Sequence, residues 1–225
     1  MFEVSGIYKK FKKRQILNGV SLKAEPGVCV GIAGGNGCGK TTLLSILAGV
    51  GRPDKGSICF DGEEAVGNRK IFEKKAAYVP QENPLIPELT ARDNFALWYR
   101  GDKKKMEEDL EQGVAHTLGL SEFLGTPAGK LSGGQKKRLS IAAALSNRAS
   151  LLIMDEPGAA LDLEAKEEIL LYIKSFVKEG GTVILTSHEM PELRVCGKLY
   201  ILKDGVLIPE DIDGGLEPEQ LVGKF

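Results

Sequence analysis

Short apolar runs alternate with amphipathic segments along most of this chain. The runs Val28–Ala33, Leu151–Met154 and Thr182–Thr186 contain no charged residue and predict buried strands. Between the last two, Leu163–Lys178 has the spacing of an amphipathic helix, which Gly180-Gly181 would end. Because buried strands separated by helices are typical of parallel sheets, this order predicts an α/β core.

The first part of the chain has shorter strand candidates and tighter turns. Phe2–Ile7 alternates between apolar and polar residues, and Ile16-Leu17 and Val20–Ala24 are two further candidates. The basic run Lys9–Arg14 is assigned to a solvated loop between strands, at the tip of a hairpin. Together these residues predict an N-terminal antiparallel β-subdomain beside the core.

A mainly helical insert is predicted at about 84–145. Within it, Thr90–Trp98 and Lys104–Leu118 have helical spacing, whereas Ser121–Lys130 is irregular. Trp98 is the only tryptophan of the chain, and it is expected in the core.

These patterns predict a single domain in two parts. The α/β core with its β-subdomain takes about 1–83 and 146–225, and the helical subdomain takes about 84–145. Near the end, Tyr200–Ile208 predicts a hairpin with an Asp-Gly turn. The acidic stretch Pro209–Phe225 predicts no function.

The composition is that of an ordinary water-soluble protein. The chain has 225 residues, of which 42% are apolar and 27% charged, and its formal net charge is −1. This charge gives no overall attraction to nucleic acid, so no nucleic acid partner is expected. No signal peptide is recognised, and no apolar run approaches the roughly 20 residues that span a bilayer. The chain is therefore expected in the cytoplasm.

A glycine-rich loop, Gly34–Thr42, lies between a predicted strand and a helix that includes Leu43–Ala48. Glycines allow the loop to turn its N–H groups inward, and those groups with the helix N-terminus form an anion site. Lys40 would reach the β- and γ-phosphates of a nucleotide, and the Thr41 hydroxyl would hold Mg²⁺. The alternative is a plain glycine-rich turn. The residues assigned to the nucleotide are Gly34, Asn36, Gly37, Cys38, Gly39, Lys40, Thr41 and Thr42.

A second anion-binding helix start is predicted at Leu131–Gln135. Ser132 and Gln135 have the spacing of a capping box, and Gly133 and Gly134 allow a close backbone approach. The simpler interpretation is a well-capped helix. The functional interpretation is an anion site formed by Ser132, Gly133, Gly134 and Gln135, which the family resemblance described below assigns to nucleotide binding.

Acidic and basic candidates follow two of the predicted strands. Asp155 is suited to Mg²⁺, through water, and Glu156 could orient or deprotonate an attacking water. His188 follows another strand and is assigned to a phosphate contact. Phe11, within the basic run, is either a loop anchor or a stacking surface for a purine.

These motifs together resemble the nucleotide-binding subunit of ATP-binding cassette (ABC) transporters over about residues 1–208. Gly34–Thr42 is similar to the Walker A motif, Leu131–Gln135 to the signature motif, and Leu151–Glu156 to the Walker B strand with its catalytic glutamate. The resemblance implies a P-loop NTPase-type α/β fold with a mainly parallel sheet, an N-terminal antiparallel β-subdomain and a helical insert.

The resemblance also assigns roles to individual residues. Gln81 is implied to be the Q-loop glutamine, which takes part in catalysis and in metal binding. His188 is implied to be the switch histidine, and Phe11 stands where the family stacks adenine. Lys40 and Glu156 complete the implied catalytic set. The loop before Asp162 departs from the family pattern, because Ala159 stands where a serine is usual.

The implied function is an ATPase motor subunit of a membrane transporter. Two subunits would close head to tail around two ATP-Mg²⁺, and separate transmembrane permease subunits would hold the pair on the inner face of the cell membrane. The short chain favours export, and Glu82–Trp98 is the candidate surface for the permease. The alternative is a soluble ABC-type ATPase without a membrane partner, acting in complex assembly or on nucleic acid. A regulator that does not hydrolyse ATP is disfavoured by Glu156 and His188.

Overall fold

The computed structural model describes residues 1–99 and 101–211. It contains two β-sheets and a set of helices. Residues 212–225 of the acidic stretch lie outside this range. None of the helices in the described part of the chain is long and apolar enough to cross a bilayer. The strands are β1 (Phe2–Phe11), β2 (Arg14–Ala24), β3 (Cys29–Ala33), β4 (Lys55–Phe60), β5 (Glu63–Glu64), β6 (Ala76–Val79), β7 (Leu151–Asp155), β8 (Thr182–Thr186), β9 (Lys198–Lys203) and β10 (Val206–Glu210).

The helices lie between these strands and differ widely in length. They are α1 (Lys40–Leu47), α2 (Arg69–Lys75), α3 (Ala91–Trp98), α4 (Lys103–Gln112), α5 (Val114–Thr117), α6 (Gly133–Leu145), α7 (Leu163–Lys178) and α8 (Met190–Leu193). Two short 3₁₀ turns, Leu120–Glu122 and Ala128–Lys130, precede α6.

The larger sheet has the strand order β10-β9-β3-β8-β7-β6. Its strands β6, β7, β8, β3 and β9 pair in parallel, and β10 pairs antiparallel with β9 at the edge. The smaller sheet, β2-β1-β4-β5, is antiparallel. The predicted fold class, a mainly parallel core with an N-terminal antiparallel sheet, is therefore confirmed.

Both faces of the parallel sheet are buried, which explains why its strands read as continuous apolar runs. On β7, Leu152 and Met154 join a core that includes residues of α3, α6 and α7. Leu151 and Ile153 point to the opposite face, where the core includes α1 and the antiparallel sheet. Successive side chains of a strand alternate between faces, so one short run supplies both cores.

The N-terminal hairpin is longer than the sequence pattern indicates. β1 continues to Phe11 and β2 starts at Arg14, so Lys9 and Lys10 belong to a strand and not to a loop. The register shifts at several places in the hairpin, and Gly6 has a left-handed φ of +58°. Such irregularities interrupt the two-residue alternation, which is why separate short strands were expected.

The helical segment corrects two expectations. Lys104–Leu118 was expected as one helix, but α4 ends at Gln112 and a separate turn, α5, follows Gly113. Trp98 was expected in the core, but it is 50% exposed at the end of α3. The burial of an apolar residue at a helix end depends on which other segment packs over it. The periodicity of the helix does not predict that packing.

The C-terminal hairpin agrees with the sequence pattern. Asp204 and Gly205 both have left-handed backbones, with φ of 50° and 77°, as a two-residue turn of this kind requires. Pro209 lies on β10, an edge strand, where its missing N–H costs little.

Candidate functional site

The parallel strands bring the predicted site residues to one edge of the sheet. β3 leads into Gly34–Thr42, β6 into Gln81, β7 into Glu156 and β8 into His188. Because all four strands run in the same direction, their carboxyl ends meet at the same edge. That edge is the place where open α/β sheets bind ligands.

The glycine-rich loop is shaped by close backbone approaches. Gly39 has a φ of +112° and immediately precedes α1, and a Cβ there would lie 2.8 Å from a methyl group of Ile16. A Cβ on Gly34 would lie 2.7 Å from the carbonyl oxygen of Leu202. Side chains are therefore excluded at both positions, and the loop folds tightly onto the start of α1.

Lys40 is the first residue of α1, and its side chain is almost fully buried. Its Nζ donates to the carbonyl oxygen of Gly34 at 2.8 Å and lies 2.9 Å from Nε2 of His188. Oε1 of Glu156 is 3.7 Å away. The ammonium is thus held by groups that can yield it to phosphate oxygens, which would form stronger, charge-assisted hydrogen bonds.

The Glu156 carboxylate contacts the side chains of three other candidates, Lys40, Gln81 and His188. Its Oε1 lies 3.0 Å from Nε2 of His188, and its Oε2 accepts from the Gln81 amide at 3.0 Å. Its backbone has a φ of +46°, a strained conformation for a residue with a side chain. The Glu156 N–H donates to both the carbonyl and hydroxyl oxygens of Thr186, each at 3.1 Å, which holds that conformation in place.

Asp155 lies directly behind Glu156 and is 2% exposed. Its Oδ1 accepts from the Thr186 hydroxyl at 2.6 Å, whereas its Oδ2 has no hydrogen-bond partner among the described residues. A buried carboxylate oxygen without a partner is costly unless a cation or water satisfies it. Within residues 1–99 and 101–211, no group of three or more His, Cys, Asp or Glu side chains could hold a metal ion. An aspartate carboxylate is a ligand type suited to Mg²⁺, which proteins usually bind through one or two carboxylates together with phosphates.

A cavity of about 300 Å³ lies in front of these side chains. Its lining includes Ile16, which the sequence pattern identified only as a strand residue. Phe11 lies at the end of β1, is 55% exposed, has Nζ of Lys9 5.5 Å from its ring centre, and is not among the described lining residues. The residues that line the cavity are Ile16, Asn36, Gly37, Gly39, Lys40, Thr41, Thr42, Gln81 and Glu156.

The start of α6 lies apart from this cavity. Ser132 accepts from the Gln135 N–H at 3.2 Å, and Gln135 Oε1 accepts from the Ser132 N–H at 3.0 Å, so the predicted capping box is formed. A Cβ on Gly133 would lie 3.1 Å from the side chain of Leu161. The described residues that line the cavity include none of Ser132–Gln135.

Two buried charged residues near the site have no counterpart in the sequence predictions. Lys137 on α6 is 1% exposed, and Glu192 on α8 is 4% exposed. Burial lowers the pKa of the Lys137 ammonium, whereas the carboxylates of Asp155 and Glu192 act in the opposite direction. Lys136 and Lys137 are adjacent in sequence, so only the packing of α6 against β6 distinguishes the buried one.

This fold and this site define an ATPase of the ATP-binding cassette class. The chain belongs to the ABC transporter family, whose pattern matches residues 17–159. It is an ATP-binding and ATP-hydrolysing motor subunit of an ABC transporter.

The chain is similar to several known proteins and to solved structures. The chain is 33% identical to the Nod factor export ATP-binding protein I of Burkholderia thailandensis over 207 residues, which are 91% of this chain and 68% of that protein. The protein of the same name from Rhizobium etli is 33% identical over 92% of this chain and 67% of its own length. A dimeric ATP-binding cassette in a post-hydrolysis state, bound to ADP and Pi, superposes with a TM-score of 0.82 at 28% identity, covering 95% of this chain and all of that one.

Proposed function

We propose that this chain binds ATP-Mg²⁺ between its own cavity and the α6 start of a second cassette subunit, and that hydrolysis reopens the pair to drive export. One observation carries the proposal: Lys40, Gln81 and Glu156 line one cavity, with His188 in contact with Lys40 and Glu156, whereas Ser132–Gln135 form a separate capped helix start. Each chain thus offers two complementary halves of a site, and a head-to-tail pair would unite them. The partner cassette is a second copy of this chain or a related one.

The nucleotide would lie along the glycine-rich loop with its phosphates at the start of α1. The loop amides and the helix N-terminus favour negative charge there, and Lys40 would exchange its carbonyl contacts for β- and γ-phosphate oxygens. Phe11 would stack on adenine, and Ile16 would contact the nucleotide from the cavity wall. The loop residues in this role are Gly34, Asn36, Gly37, Cys38, Gly39, Thr41 and Thr42.

Mg²⁺ would be held by the Thr41 hydroxyl and, through water, by Asp155, with the side-chain oxygen of Gln81 as a further ligand. The partnerless Oδ2 of Asp155 supports this assignment. When bound, the cation neutralises charge on the β- and γ-phosphates.

Hydrolysis would depend on Glu156 and His188. Phosphoryl transfer to water needs mainly positioning and charge neutralisation. Glu156 would accept a hydrogen bond from the attacking water and align it with the γ-phosphate, and Gln81 would hold Glu156 by its amide. His188, which lies between Lys40 and Glu156, would contact the γ-phosphate.

A membrane-spanning partner would dock on the segment that follows Gln81. Ile86, Leu97 and Trp98 are 44%, 58% and 50% exposed, although all three are large and apolar. Contiguous exposed apolar patches mark protein–protein or membrane contact sites, and Leu97 and Trp98 are neighbours in the chain. This contact would place the chain on the inner face of the cell membrane, with about 84–145 as the helical subdomain that the partner engages.

Substitution of Glu156 by Gln tests the proposal directly. Gln keeps the size of the side chain but lacks the negative charge, so the variant should bind ATP-Mg²⁺, lose about 10²-fold or more of kcat, and remain closed as a dimer. Size-exclusion chromatography with light scattering, with and without ATP, measures this.

The control adds Lys40→Ala to the same variant. Without Lys40 the phosphates are poorly held, so the double variant should stay monomeric with ATP. A Glu156→Gln variant that binds ATP but stays monomeric would contradict pairing between two copies of this chain and leave a related cassette as the partner.

A further inference from the structure

Lys137 places a cation in the interior of the protein, one helical turn beyond the start of α6. Its Nζ donates to the main-chain oxygens of Pro80 at 3.3 Å and Gln81 at 3.1 Å. Lysine is almost never fully buried without partners, because its ammonium is strongly hydrated in water. The position of this cation therefore requires a reason beyond filling space.

The hydrogen bonds of Lys137 join two functional segments of the same chain. On one side is α6, whose first turn carries Ser132–Gln135. On the other is the main chain of Gln81, just after β6. Burial lowers the pKa of the ammonium, whereas the carboxylates of Asp155 and Glu192 favour its charged form.

Gln81 is held at both ends. Its carbonyl oxygen accepts from Lys137, and its side-chain amide donates to Oε2 of Glu156 at 3.0 Å. The first two turns of α6 move together, so a movement of the α6 start also moves Lys137. That movement would reach Glu156 through the Lys137–Gln81 and Gln81–Glu156 hydrogen bonds.

We propose that Lys137 is a positioning residue that sets the orientation of Glu156 according to the position of the α6 start. The inference rests on the proposed roles of Glu156 and Gln81. When the α6 start engages the ATP of another subunit, Lys137 carries that displacement to Gln81. Engagement of one site would then adjust the water-positioning carboxylate of the other site in the pair.

Lys137→Met removes the donors while keeping a long side chain. Lys137 is not among the described residues that line the cavity, so the KM for ATP should change much less than kcat. The kcat should fall about 10- to 100-fold, since small misplacement of a catalytic group has effects of that size. Lys137→Arg, which retains charge and donors, should recover a measurable part of the lost kcat.

A double-mutant cycle separates positioning from simple structural support. Gln81→Ala should lower kcat by itself, and adding Lys137→Met should lower it little further, because both act through the same residue. Lys174→Met, at an exposed position of α7, is the control and should match the wild type. Thermal unfolding checks each variant, because removing one charge from a buried group of opposite charges is itself destabilising.

Several results would overturn the inference. A Lys137→Met variant with wild-type kcat would do so, as would losses that multiply fully in the cycle. If Met at this position prevents folding, Lys137→Gln carries the same expectations, since its amide is too short to reach both carbonyl oxygens. Absence of ATP hydrolysis in the wild type would instead contradict the proposed function, so the two failures are distinguishable.

Discussion

The carboxyl group of Glu192 is buried between two loops that carry site residues. It accepts hydrogen bonds from the Ser187 side chain and the Gly158 N–H. A Cβ on Gly158 would overlap Oε1 of Glu192, so this approach depends on glycine. Burial raises the pKa of Glu192 above its ordinary value of 4.5, although the two hydrogen bonds oppose the shift.

The raised pKa predicts a pH-dependent effect of Glu192→Gln on the free energy of unfolding. A carboxyl that binds its proton more tightly when folded contributes stability below its unfolded pKa, and this contribution is lost as pH rises through the folded pKa. The stability of the wild type relative to the variant should therefore fall as pH rises above 4.5. Urea unfolding at a series of pH values measures the difference.

Glu167→Gln, at an exposed position of α7, is the matched control for loss of one carboxylate. A wild-type advantage that grows with rising pH would contradict the assigned direction of the Glu192 shift.

Sequence motifs identified the side chains that contact one another at this edge of the sheet, but not the residues that support them. Lys40, Gln81, Glu156 and His188 stand at fixed places after recognisable strands, and the structure brings them together. No sequence pattern distinguishes Lys137, because its neighbour Lys136 is also a lysine and the sequence does not indicate which of the two is buried. Its burial follows from helix packing, which has no local signature.

At the scale of elements, Gly113 separates α4 from α5 where helical spacing predicted continuity. Its backbone is extended, and a Cβ there would lie 2.8 Å from the Cα and carbonyl oxygen of Asp109. These are backbone atoms, which cannot move aside as a flexible side chain can. Local tertiary structure thus overrides the periodicity of charged and apolar residues.

Gly113→Ala should consequently destabilise the protein by about 1–3 kcal/mol. Helix propensity alone predicts the opposite sign, since Ala normally stabilises a helix relative to Gly. Gly125→Ala is the control, because a Cβ there meets nothing within 4 Å. Urea unfolding gives the free energy of unfolding of both variants. A Gly113→Ala variant more stable than the wild type would mean that α4 and α5 can form one continuous helix.

Strands were easier to anticipate in the core than in the N-terminal sheet. β7 and β8 are buried on both faces, so their apolar runs mark them almost residue by residue. β1 has ten residues, but its pairing with β2 shifts register and it ends in a basic segment. Its full length was therefore not apparent from the sequence. Irregular pairing is stabilised by neighbouring strands, and single-sequence patterns do not contain that information.

For the whole molecule, the exposed pair Leu97 and Trp98 is the proposed contact with a membrane-spanning partner. The double substitution Leu97→Lys and Trp98→Lys should release the chain from sedimented membranes of the cells that produce it. ATP-dependent dimerisation in the Glu156→Gln background should persist, since surface substitutions of this kind usually change stability little.

Leu171→Lys, on an equally exposed apolar position of α7, is the matched control and should stay with the membranes. A wild-type chain that never sediments with membranes would contradict peripheral attachment. A double variant that remains attached would move the contact elsewhere on the surface.

The separation of the α6 start from the cavity has a genetic consequence in the proposed head-to-tail dimer. A lesion at Gly133 would leave the glycine-rich loop of its own chain intact and damage the site of the chain opposite. A cell that made both the altered and the normal chain would therefore lose function in mixed pairs. The altered allele would behave as dominant negative, although its own nucleotide-binding loop is unchanged.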